Sequence, residues 1–430
     1  MSDLAERLRT LHPADAAEAL READDREAAA ALAALPRPRA GLILEGLDPE
    51  RAQPILALLG VERASDLMEE MSSDDLADLL GSLAPAEASR LLARMEPPAA
   101  GRVRPLLTYP EGTAGALMAS EVVTLPAGLS AEAALARLRA SAPDAETIYY
   151  VYVVDQEGRL AGVLSLRDLI LVDPAAPIDD IVQERAISVR ADEDQEAVAR
   201  LFIKYGLLAL PVVDADRMLV GVVTLDDVLD VVVEEAAEDI TKLSGVGGPE
   251  AEETGWRLAA AARLPWLLVA ILVELIGARV IEGYAPTLRA LLALAYFIPV
   301  LNSMAGNLGI QTVALAVRGF ARGEIAPDRI APLIGREVLT AALIAAVSGA
   351  LVGAVALGVE QAPILAAITT LSMVLALLVA SAVGIAMPVL LARMGRDPAV
   401  ASGPLVTSGL DLTTVTIYLS VAAVLLARSS

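Results

Sequence analysis

The residues best suited to binding a ligand are seven carboxylates crowded into positions 226–239. Four of them recur every fourth residue, at Asp226, Asp230, Glu234 and Glu238. On a helix they would form one acidic stripe, and no basic residue follows before Lys242. Like charges at that spacing repel each other. Clustered carboxylate oxygens suit hard divalent cations, although a solvated acidic face is the plainer interpretation.

Two further carboxyls lie inside long apolar stretches, where a charge is costly. Asp411 stands in GPLVTSGLDLTTVTIYLSVA, about one turn after Thr407 and Ser408, and Glu274 stands midway along the first apolar run. Ionisable groups at membrane depth usually face a cavity or a partner helix, which makes both residues candidates for a transport path. A helix–helix hydrogen bond is the alternative, and we favour it for Glu274.

Polar residues also interrupt the second apolar run, in YFIPVLNSMAGNLGIQT. Pro299 removes a backbone donor, and Gly306 and Gly309 weaken a helix further, so we expect irregular backbone here. Such backbone survives at membrane depth only where it is buried in protein or lines water. Small residues at a helix interface are the competing explanation.

Five apolar runs predict the membrane spans that hold these residues, at 264–281, 288–317, 338–359, 363–391 and 404–426. Their lengths are close to or above the roughly 20 residues needed to cross hydrocarbon. Arginines precede the first run and lie between the second and third and between the fourth and fifth, whereas the link from the third to the fourth has no Lys or Arg. This asymmetry predicts a cytoplasmic N-terminal half and an external C-terminus. The polar start, MSDLAERLRT, does not resemble a signal peptide.

Charge divides the chain into two parts. The 430 residues carry a net charge of −23, and residues 1–255 hold 48 of the 56 acidic residues but 22 of the 33 basic ones. Nucleic acid is therefore not an expected partner, because phosphate binding needs a basic surface. There is no cysteine, which excludes disulfides, zinc fingers and thiol nucleophiles. With no P-loop and no His–Ser–Asp grouping, an enzyme is the least expected class.

The first 100 residues repeat at a spacing of twelve. Apolar residues open the units at Leu11, Leu35, Leu47, Leu59, Met71, Leu83 and Met95. Units such as LHPADAAEAL and MSSDDLADLL predict short helices that begin at Pro, Ser or Asp, with His12 as a helix-start residue. Helices this short must share a core, so we predict a stacked array. Asp74, Asp75 and Asp78 either cap a helix or meet another acidic surface through a bridging cation.

A second repeat relates VYVVDQEGRLAGVLSLRDLI to LPVVDADRMLVGVVTLDDVL at an offset of 59 residues. Each copy reads as strand, turn, strand and helix, and a helical segment precedes it at 131–140 or 196–205. The pattern resembles a tandem pair of CBS domains, which commonly bind adenine nucleotides or regulate an attached domain.

The order of these parts resembles the MgtE family of magnesium channels over essentially the whole chain. The most specific marks are DAETIYYVYVVD, TLDDVLDVVVEEAAEDI, the segment from Pro299 to Gln311, and DPAVASGPLVTSGLD. The resemblance implies a multidomain fold: an all-α helical-repeat N domain at 1–117, an α+β tandem CBS pair at 118–235 (118–182 and 183–235), a connecting acidic helix and linker at 236–260, and an all-α transmembrane bundle of five helices at 261–430. It also implies a homodimer in a lipid bilayer, with the ion path between subunits and closure by cytoplasmic Mg²⁺.

The resemblance also assigns site residues. Asp411 would be the pore carboxylate, with the Thr407 backbone and Asn307 nearby. The sensing acids would be Asp74, Asp75, Asp194, Glu196, Asp227, Asp230, Glu235, Glu238 and Asp239. ATP would contact Tyr150, Arg167 and Asp168. Two departures stand out: the pore segment begins Ala305-Gly306-Asn307, and Leu42 replaces an N-domain acid, with Glu45 one turn on.

We therefore predict a magnesium-selective channel that closes when Mg²⁺ bridges its acidic surfaces, with Mg²⁺ and ATP as ligands. Mg²⁺ dehydrates reluctantly, so two Asp411 carboxylates would hold it with its water. One alternative is an ion-coupled secondary transporter that uses Glu274 as the coupling group. The other is a membrane sensor without a pore, whose CBS pair binds nucleotide.

Overall fold

The computed structural model describes residues 3–141, 147–183, 186–243, 256–321, 331–401 and 404–429. The chain forms two compact units, Met1–Val233 and Glu234–Ser430. The predicted glycine-rich linker after residue 243 lies outside the described residues, as do the first three residues of DAETIYYVYVVD.

The first unit begins with short helices, as the twelve-residue repeat predicts. They are α1 (Asp3–Thr10), α2 (Pro13–Glu22), α3 (Asp25–Ala33), α4 (Arg37–Glu45), α5 (Pro49–Met68), α6 (Ser73–Ser82), α7 (Pro85–Leu92), α8 (Pro97–Leu106) and α9 (Ala114–Leu117). The side chain of His12 accepts a hydrogen bond from Ala14 N at the start of α2, which confirms its predicted position. The unit that opens at Leu59 also starts a new helix, because the range of α5 contains two helices that meet at a break at Gly60, whose φ of 75° suits glycine.

Arginines at a spacing of twelve connect the array. Arg39, Arg51 and Arg63 each donate hydrogen bonds to backbone carbonyls near the C-terminal end of a helix 28 to 31 residues earlier. The acceptors are Leu8 and Leu11, Leu20 and Ala23, and Ala33 and Leu35, respectively. Those carbonyls have no partner inside their own helices, and a cation there also meets the negative end of the helix dipole.

Two three-stranded sheets follow, and they confirm the duplicated α+β pattern. The first contains β1 (Thr124–Pro126), β2 (Tyr150–Val154) and β3 (Leu160–Ser165), and the second contains β4 (Val189–Arg190), β5 (Ala209–Val213) and β6 (Leu219–Thr224). In each sheet the first pair is parallel and the second antiparallel. The helices are α10 (Ala131–Ser141), α11 (Leu166–Leu171), α12 (Gln195–Tyr205) and α13 (Leu225–Leu243).

The helical array and the second sheet share one hydrophobic core. It runs from Leu4 in α1 to Phe202 in α12 and Val231 in α13. Ala114 N donates to Glu193 O at 2.8 Å, and Gln195 N donates to Gly112 O at 2.9 Å. The array and the second CBS copy therefore pack as one body, which brings α6 towards the start of α13.

Within its described residues, the second unit contains five helices long and apolar enough to cross a membrane. They are α14 (Trp256–Gly283), α16 (Leu294–Ala321), α17 (Ala331–Glu360), α18 (Pro363–Arg393) and α19 (Pro404–Ser429). The second predicted run is broken, because short α15 (Ala285–Ala290) is separated from α16 by an extended Leu291. A 3₁₀ turn, Pro398–Ala401, precedes α19.

The expected irregular backbone around Asn302–Thr312 is wrong: α16 is continuous from Leu294 to Ala321. Pro299 lies in its second turn, and the glycines cost only about 1 kcal/mol each. Close packing offsets that cost, because a Cβ on Gly309 would stand 2.2 Å from Leu410 Cδ1. A Cβ on Gly384 of α18 would stand 2.9 Å from Gly309 O. The small residues thus let α16, α18 and α19 approach closely, which was the competing explanation.

Candidate cation sites

The first unit buries a group of carboxylates where α6 faces the start of α13. Asp74, in the first turn of α6, is only 7% exposed, and its Oδ1 atom is buried without a hydrogen-bond partner. The charge of Asp74 acts on Asp75 and on Asp227, which lies in the first turn of α13. A buried carboxylate oxygen without a partner is costly, so this position favours a ligand that can neutralise it.

Hydroxyl groups hold the surrounding carboxylates in place. Ser72 Oγ donates to Asp75 Oδ2 at 2.9 Å, and Ser72 N donates to Glu45 Oε1 at 2.8 Å. Ser73 Oγ donates to Glu121 Oε2 at 2.5 Å. Arg102 also pairs with Glu121, at 2.9 Å, and so brings one positive charge to this arrangement.

On the other side, Thr224 ends β6 and binds the acids that begin α13. Its backbone N–H donates to Asp227 Oδ2 at 3.2 Å, and its hydroxyl contacts both Asp226 and Asp227. Thr224 is itself buried. Thr224 therefore holds the side chain of Asp227 at the start of α13, where the charge of Asp74 acts on it.

The charges in this cluster are poorly compensated. Burial, and then the charge of Asp74, raises the pKa of Asp75 to about 8 and that of Asp227 to about 8. Burial raises the pKa of Asp74, and Glu121 adds to that effect. Burial likewise raises the pKa of Glu45, with a contribution from Asp74. At neutral pH the cluster thus favours either protons or a cation.

No group of three acidic or histidine side chains within the described ranges is arranged to hold a metal ion by direct bonds. A cation held through its own water fits this arrangement, because Mg²⁺ keeps several waters when it binds. Asp74, Asp75 and Asp227 are among the residues predicted from the sequence, whereas Glu45 was expected only as a neighbour. Glu121 was not predicted, because it follows Ser120 without any repeat or motif.

The other predicted sensing acids of the first unit lie apart from this cluster. Asp194 is exposed and caps α12 by accepting from Glu196 N at 2.9 Å. Glu196 forms an ion pair with Arg200 at 2.9 Å. Asp230 is exposed on α13. The cap made by Asp194 and the pair of Glu196 with Arg200 both lie within α12 and its first turn.

The predicted acids of the second unit lie on the last turns of α13. Glu235, Glu238 and Asp239 are half-buried there. Lys242 Nζ lies 2.7 Å from Glu238 Oε1 and 2.6 Å from Asp397 Oδ2. Burial lowers the pKa of Lys242, but its hydrogen bonds to Asp397 and Glu238 outweigh burial, so the pKa is raised overall. This ion pair joins α13 to the segment that precedes α19, and no sequence signal pointed to Asp397.

The predicted nucleotide residues lie together at the end of the first sheet. Tyr150 on β2 is opposite Ser165 on β3, and Ser165 Oγ accepts from Asp168 N at 3.0 Å. Arg167 and Asp168 are exposed in the first turn of α11. Asp168 corresponds to Asp227 in the repeat, so one aspartate lies in an open position and its counterpart lies beneath the helical array.

The membrane unit places its carboxyls on neighbouring helices. Asp411 is half-buried on α19, one turn after buried Ser408. The carboxyl of Glu274, on α14, is close enough to act electrostatically on Asp411. Thr407 is half-buried at the start of α19. The contact with Glu274 agrees with the helix–helix interpretation, although it joins two acids rather than an acid and a neutral partner.

A polar stripe runs along α16. Ser303, Asn307 and Gln311 follow one another at intervals of four and are all exposed on the surface of the single chain. Gly309 of the same helix packs on Leu410, next to Asp411. Polar side chains facing lipid are unfavourable, so this face of α16 calls for water or another protein surface.

Comparisons with known proteins match the chain along most of its length. A family model described as a divalent cation transporter matches residues 298–421, the MgtE intracellular N domain matches 11–112, and the CBS domain matches 114–174 and 178–234. The magnesium transporter MgtE of Thermus thermophilus is 43% identical over 327 residues, which are 75% of this chain and 72% of that protein. The magnesium transporter MgtE of Enterococcus faecalis is 42% identical over 322 residues, 75% and 71% of the respective chains.

Two solved structures resemble the soluble part. The cytosolic domain of the Mg²⁺ channel MgtE in complex with ATP is 44% identical, with a TM-score of 0.51, and the match covers 53% of this chain and 93% of that one. The soluble part of a magnesium transporter is 38% identical, also with a TM-score of 0.51, and the match covers 54% and 91%.

Proposed function

Because the chain belongs to the MgtE family of magnesium transporters, we propose that it is a magnesium-selective channel closed by Mg²⁺ on its cytoplasmic side. It is a multi-pass membrane protein that transports divalent cations. We also propose that the protein is a homodimer with the ion path between its subunits. The N-terminal half would lie in the cytoplasm and the C-terminus outside.

The position of Asp411 is the observation that best supports the proposed transport site. It is the one acid of α19, and an acid at this depth requires a compensating charge or water. The polar stripe of α16 supports a wet path beside it, with Asn307 next to the Gly309–Leu410 contact. Two Asp411 carboxylates, one from each subunit, would attract a hydrated Mg²⁺ without stripping its water, and Thr407 would contribute backbone oxygen.

Flux into liposomes tests this site. Asp411→Asn keeps the shape of the side chain and removes its charge, so we expect Mg²⁺ flux to fall at least tenfold. Glu360→Gln, at the exposed end of α17, is the matched control and should transport normally. Selective Mg²⁺ flux at the unmodified rate through Asp411→Asn would remove the pore assignment.

The buried cluster of the first unit supports the gating half of the proposal. The unpartnered Oδ1 of Asp74 and the raised pKa values of Asp75 and Asp227 support a cation at this position, which would stabilise the packing of the array on the second CBS copy. Mg²⁺ favours the closed state only if it binds that state better. The separate acids Asp194, Glu196, Asp230, Glu235, Glu238 and Asp239 are proposed as further sensing positions.

Cytoplasmic Mg²⁺ should lose part of its closing effect when this cluster is altered. In patch recordings of Asp74→Asn, we expect about tenfold more Mg²⁺ to be needed for half-closure. Asp216→Asn, at an exposed aspartate in the turn between β5 and β6, is the control. Equal Mg²⁺ dependence in the two variants would show that the cluster has no sensing role.

ATP is the proposed second ligand, because the cytosolic domain of a relative was solved with ATP bound. Tyr150, Arg167 and Asp168 lie together in an open position of the first CBS copy. An aromatic ring, a guanidinium and a carboxylate suit the base, the phosphates and the ribose, respectively.

The contact between Glu274 and Asp411 also favours a second candidate, a transporter that couples Mg²⁺ to a proton or sodium gradient. Flux that persists when both gradients are clamped would exclude it. A sealed membrane half in the same liposomes would instead indicate a sensor without a pore.

A further inference from the structure

We propose that Glu274 is a second carboxylate of the transported-ion site, so that α14 as well as α19 supplies charge to the ion path and sets its preference for divalent cations. The proposal rests on the pore role of Asp411 given above.

The position of Glu274 is unusual for a lipid-facing side chain. It stands midway along α14, whose other exposed residues on that face are apolar, among them Leu267, Ile271 and Leu275. Glu274 is also exposed on the single chain. A carboxyl in the middle of an apolar span usually marks a water-filled path or a bound ion.

The neighbouring groups place this carboxyl beside the pore residue. Helix α14 packs against α19, and the Glu274 carboxyl is close enough to act electrostatically on Asp411. Its Oε2 atom and Leu412 Cδ1 of α19 both lie 4.0 Å from the point where a Cβ on Gly277 would stand. The absence of a side chain at Gly277 thus leaves room for the carboxyl against α19.

No basic residue neutralises the pair within the described part of the chain. Arg279, five residues after Glu274 on α14, instead forms an ion pair with Glu282 at 2.6 Å. Two neighbouring carboxyls repel each other when both are charged, and the weak screening inside an apolar span strengthens that repulsion. A divalent cation between them relieves more of it than a monovalent ion, which links the pair directly to ion selectivity.

The experiment measures initial Mg²⁺ influx into liposomes that contain the full-length protein, over a range of external Mg²⁺. For Glu274→Gln, which conserves the shape of the side chain, we expect the half-saturating Mg²⁺ concentration to rise about tenfold while maximal flux stays within twofold. Glu274→Asp should restore most of the affinity. Glu282→Gln, on the same helix but away from Asp411, should behave like the unmodified protein.

A second readout separates charge from packing. With Na⁺ as the only external cation, Glu274→Gln should increase the ratio of Na⁺ to Mg²⁺ flux, whereas a merely structural change would lower both. Unchanged half-saturation, or a loss of maximal flux at unchanged half-saturation, would overturn the proposal. If Asp411→Asn abolishes flux and Glu274→Gln has no effect, only this inference fails; if Asp411→Asn transports normally, the proposed pore fails with it.

Discussion

Neutralising Asp227 should stabilise the metal-free soluble unit, although the substitution removes a half-buried carboxylate that accepts hydrogen bonds. The pKa of Asp227 is raised from 3.8 to about 8, first by burial and then by the charge of Asp74. A raised pKa means that the folded state holds a proton which the unfolded chain releases. The stabilisation from that proton is present below pH 4 and is lost as pH rises through about 8.

The magnitude follows from the pKa difference. At pH 7 the carboxyl of Asp227 lowers the free energy of unfolding by about 4 kcal/mol relative to low pH. The loss is about 1.4 kcal/mol for each pH unit above the pKa in the unfolded chain. Asp227→Asn removes that cost but weakens the bonds to Thr224, for a loss of about 1 to 2 kcal/mol. The net gain at pH 7 to 8 is about 2 to 3 kcal/mol, which corresponds to an unfolding temperature about 5 to 10 °C higher for a unit of this size.

The assay is thermal unfolding of a fragment of residues 1–243, followed by circular dichroism at pH 5 and pH 8 in EDTA or in Mg²⁺. Wild-type protein should gain about 2.7 kcal/mol when Mg²⁺ is at a hundred times its dissociation constant. The Asn variant should gain much less, because the group that the cation neutralises is gone. Asp168→Asn, at the corresponding but exposed position of the first CBS copy, is the matched control.

Two results together would refute this prediction. Asp227→Asn would have a lower unfolding temperature than the wild type at pH 8 in EDTA, and the unfolding temperatures of both proteins would depend on pH in the same way. Those results would mean that the Thr224 bonds dominate and that the carboxylate is adequately neutralised in the folded protein. An equal Mg²⁺ response in Asp227→Asn and in the wild type would refute the cation site separately.

Three further predictions concern other parts of the chain. Lys242→Gln should change the Mg²⁺ concentration for half-closure about threefold in patch recordings, because it removes a partly exposed ion pair worth at most about 1 kcal/mol. Adding Asp397→Asn should cause no further change. Arg167→Ala should weaken ATP binding to the 1–243 fragment about tenfold in calorimetry, and wild-type affinity in that variant would remove Arg167 from the site. Gly384→Ala should destabilise the membrane unit by about 1 to 3 kcal/mol in detergent, because its Cβ meets the Gly309 backbone; Gly306→Ala, with open space around it, should not.

Local sequence signals predicted most of the secondary structure. Pro, Asp and His at helix starts predicted the array, because each supplies a fixed φ or a side-chain acceptor where N–H groups lack partners. The 59-residue repeat predicted two equivalent α+β units, and the lengths of the apolar runs predicted five spans. These patterns depend on residues near each other in sequence, and they are confirmed.

Features that depend on distant packing could not be predicted in the same way. Pro299 and two glycines favoured a broken helix, but the close contact with Leu410 kept α16 continuous. Asp227 and Asp168 occupy the same position in the repeat, yet only Asp227 is covered by α6. The Lys242–Asp397 ion pair joins residues 155 positions apart, and neither residue carries a motif that reveals its partner.

The arginine contacts of the helical array have a consequence for how it opens. Each of Arg39, Arg51 and Arg63 secures the end of the helix three units before it, so about three short helices complete one turn of a continuous spiral. Local opening at α1 releases only the bonds made by Arg39, and the next turn keeps its own. Amide protons should therefore exchange with solvent in a gradient, fastest in α1 and slowest towards α6. The carboxylate of Asp74 sits at the slow end of that gradient, so thermal fraying of the first helices leaves its surroundings intact.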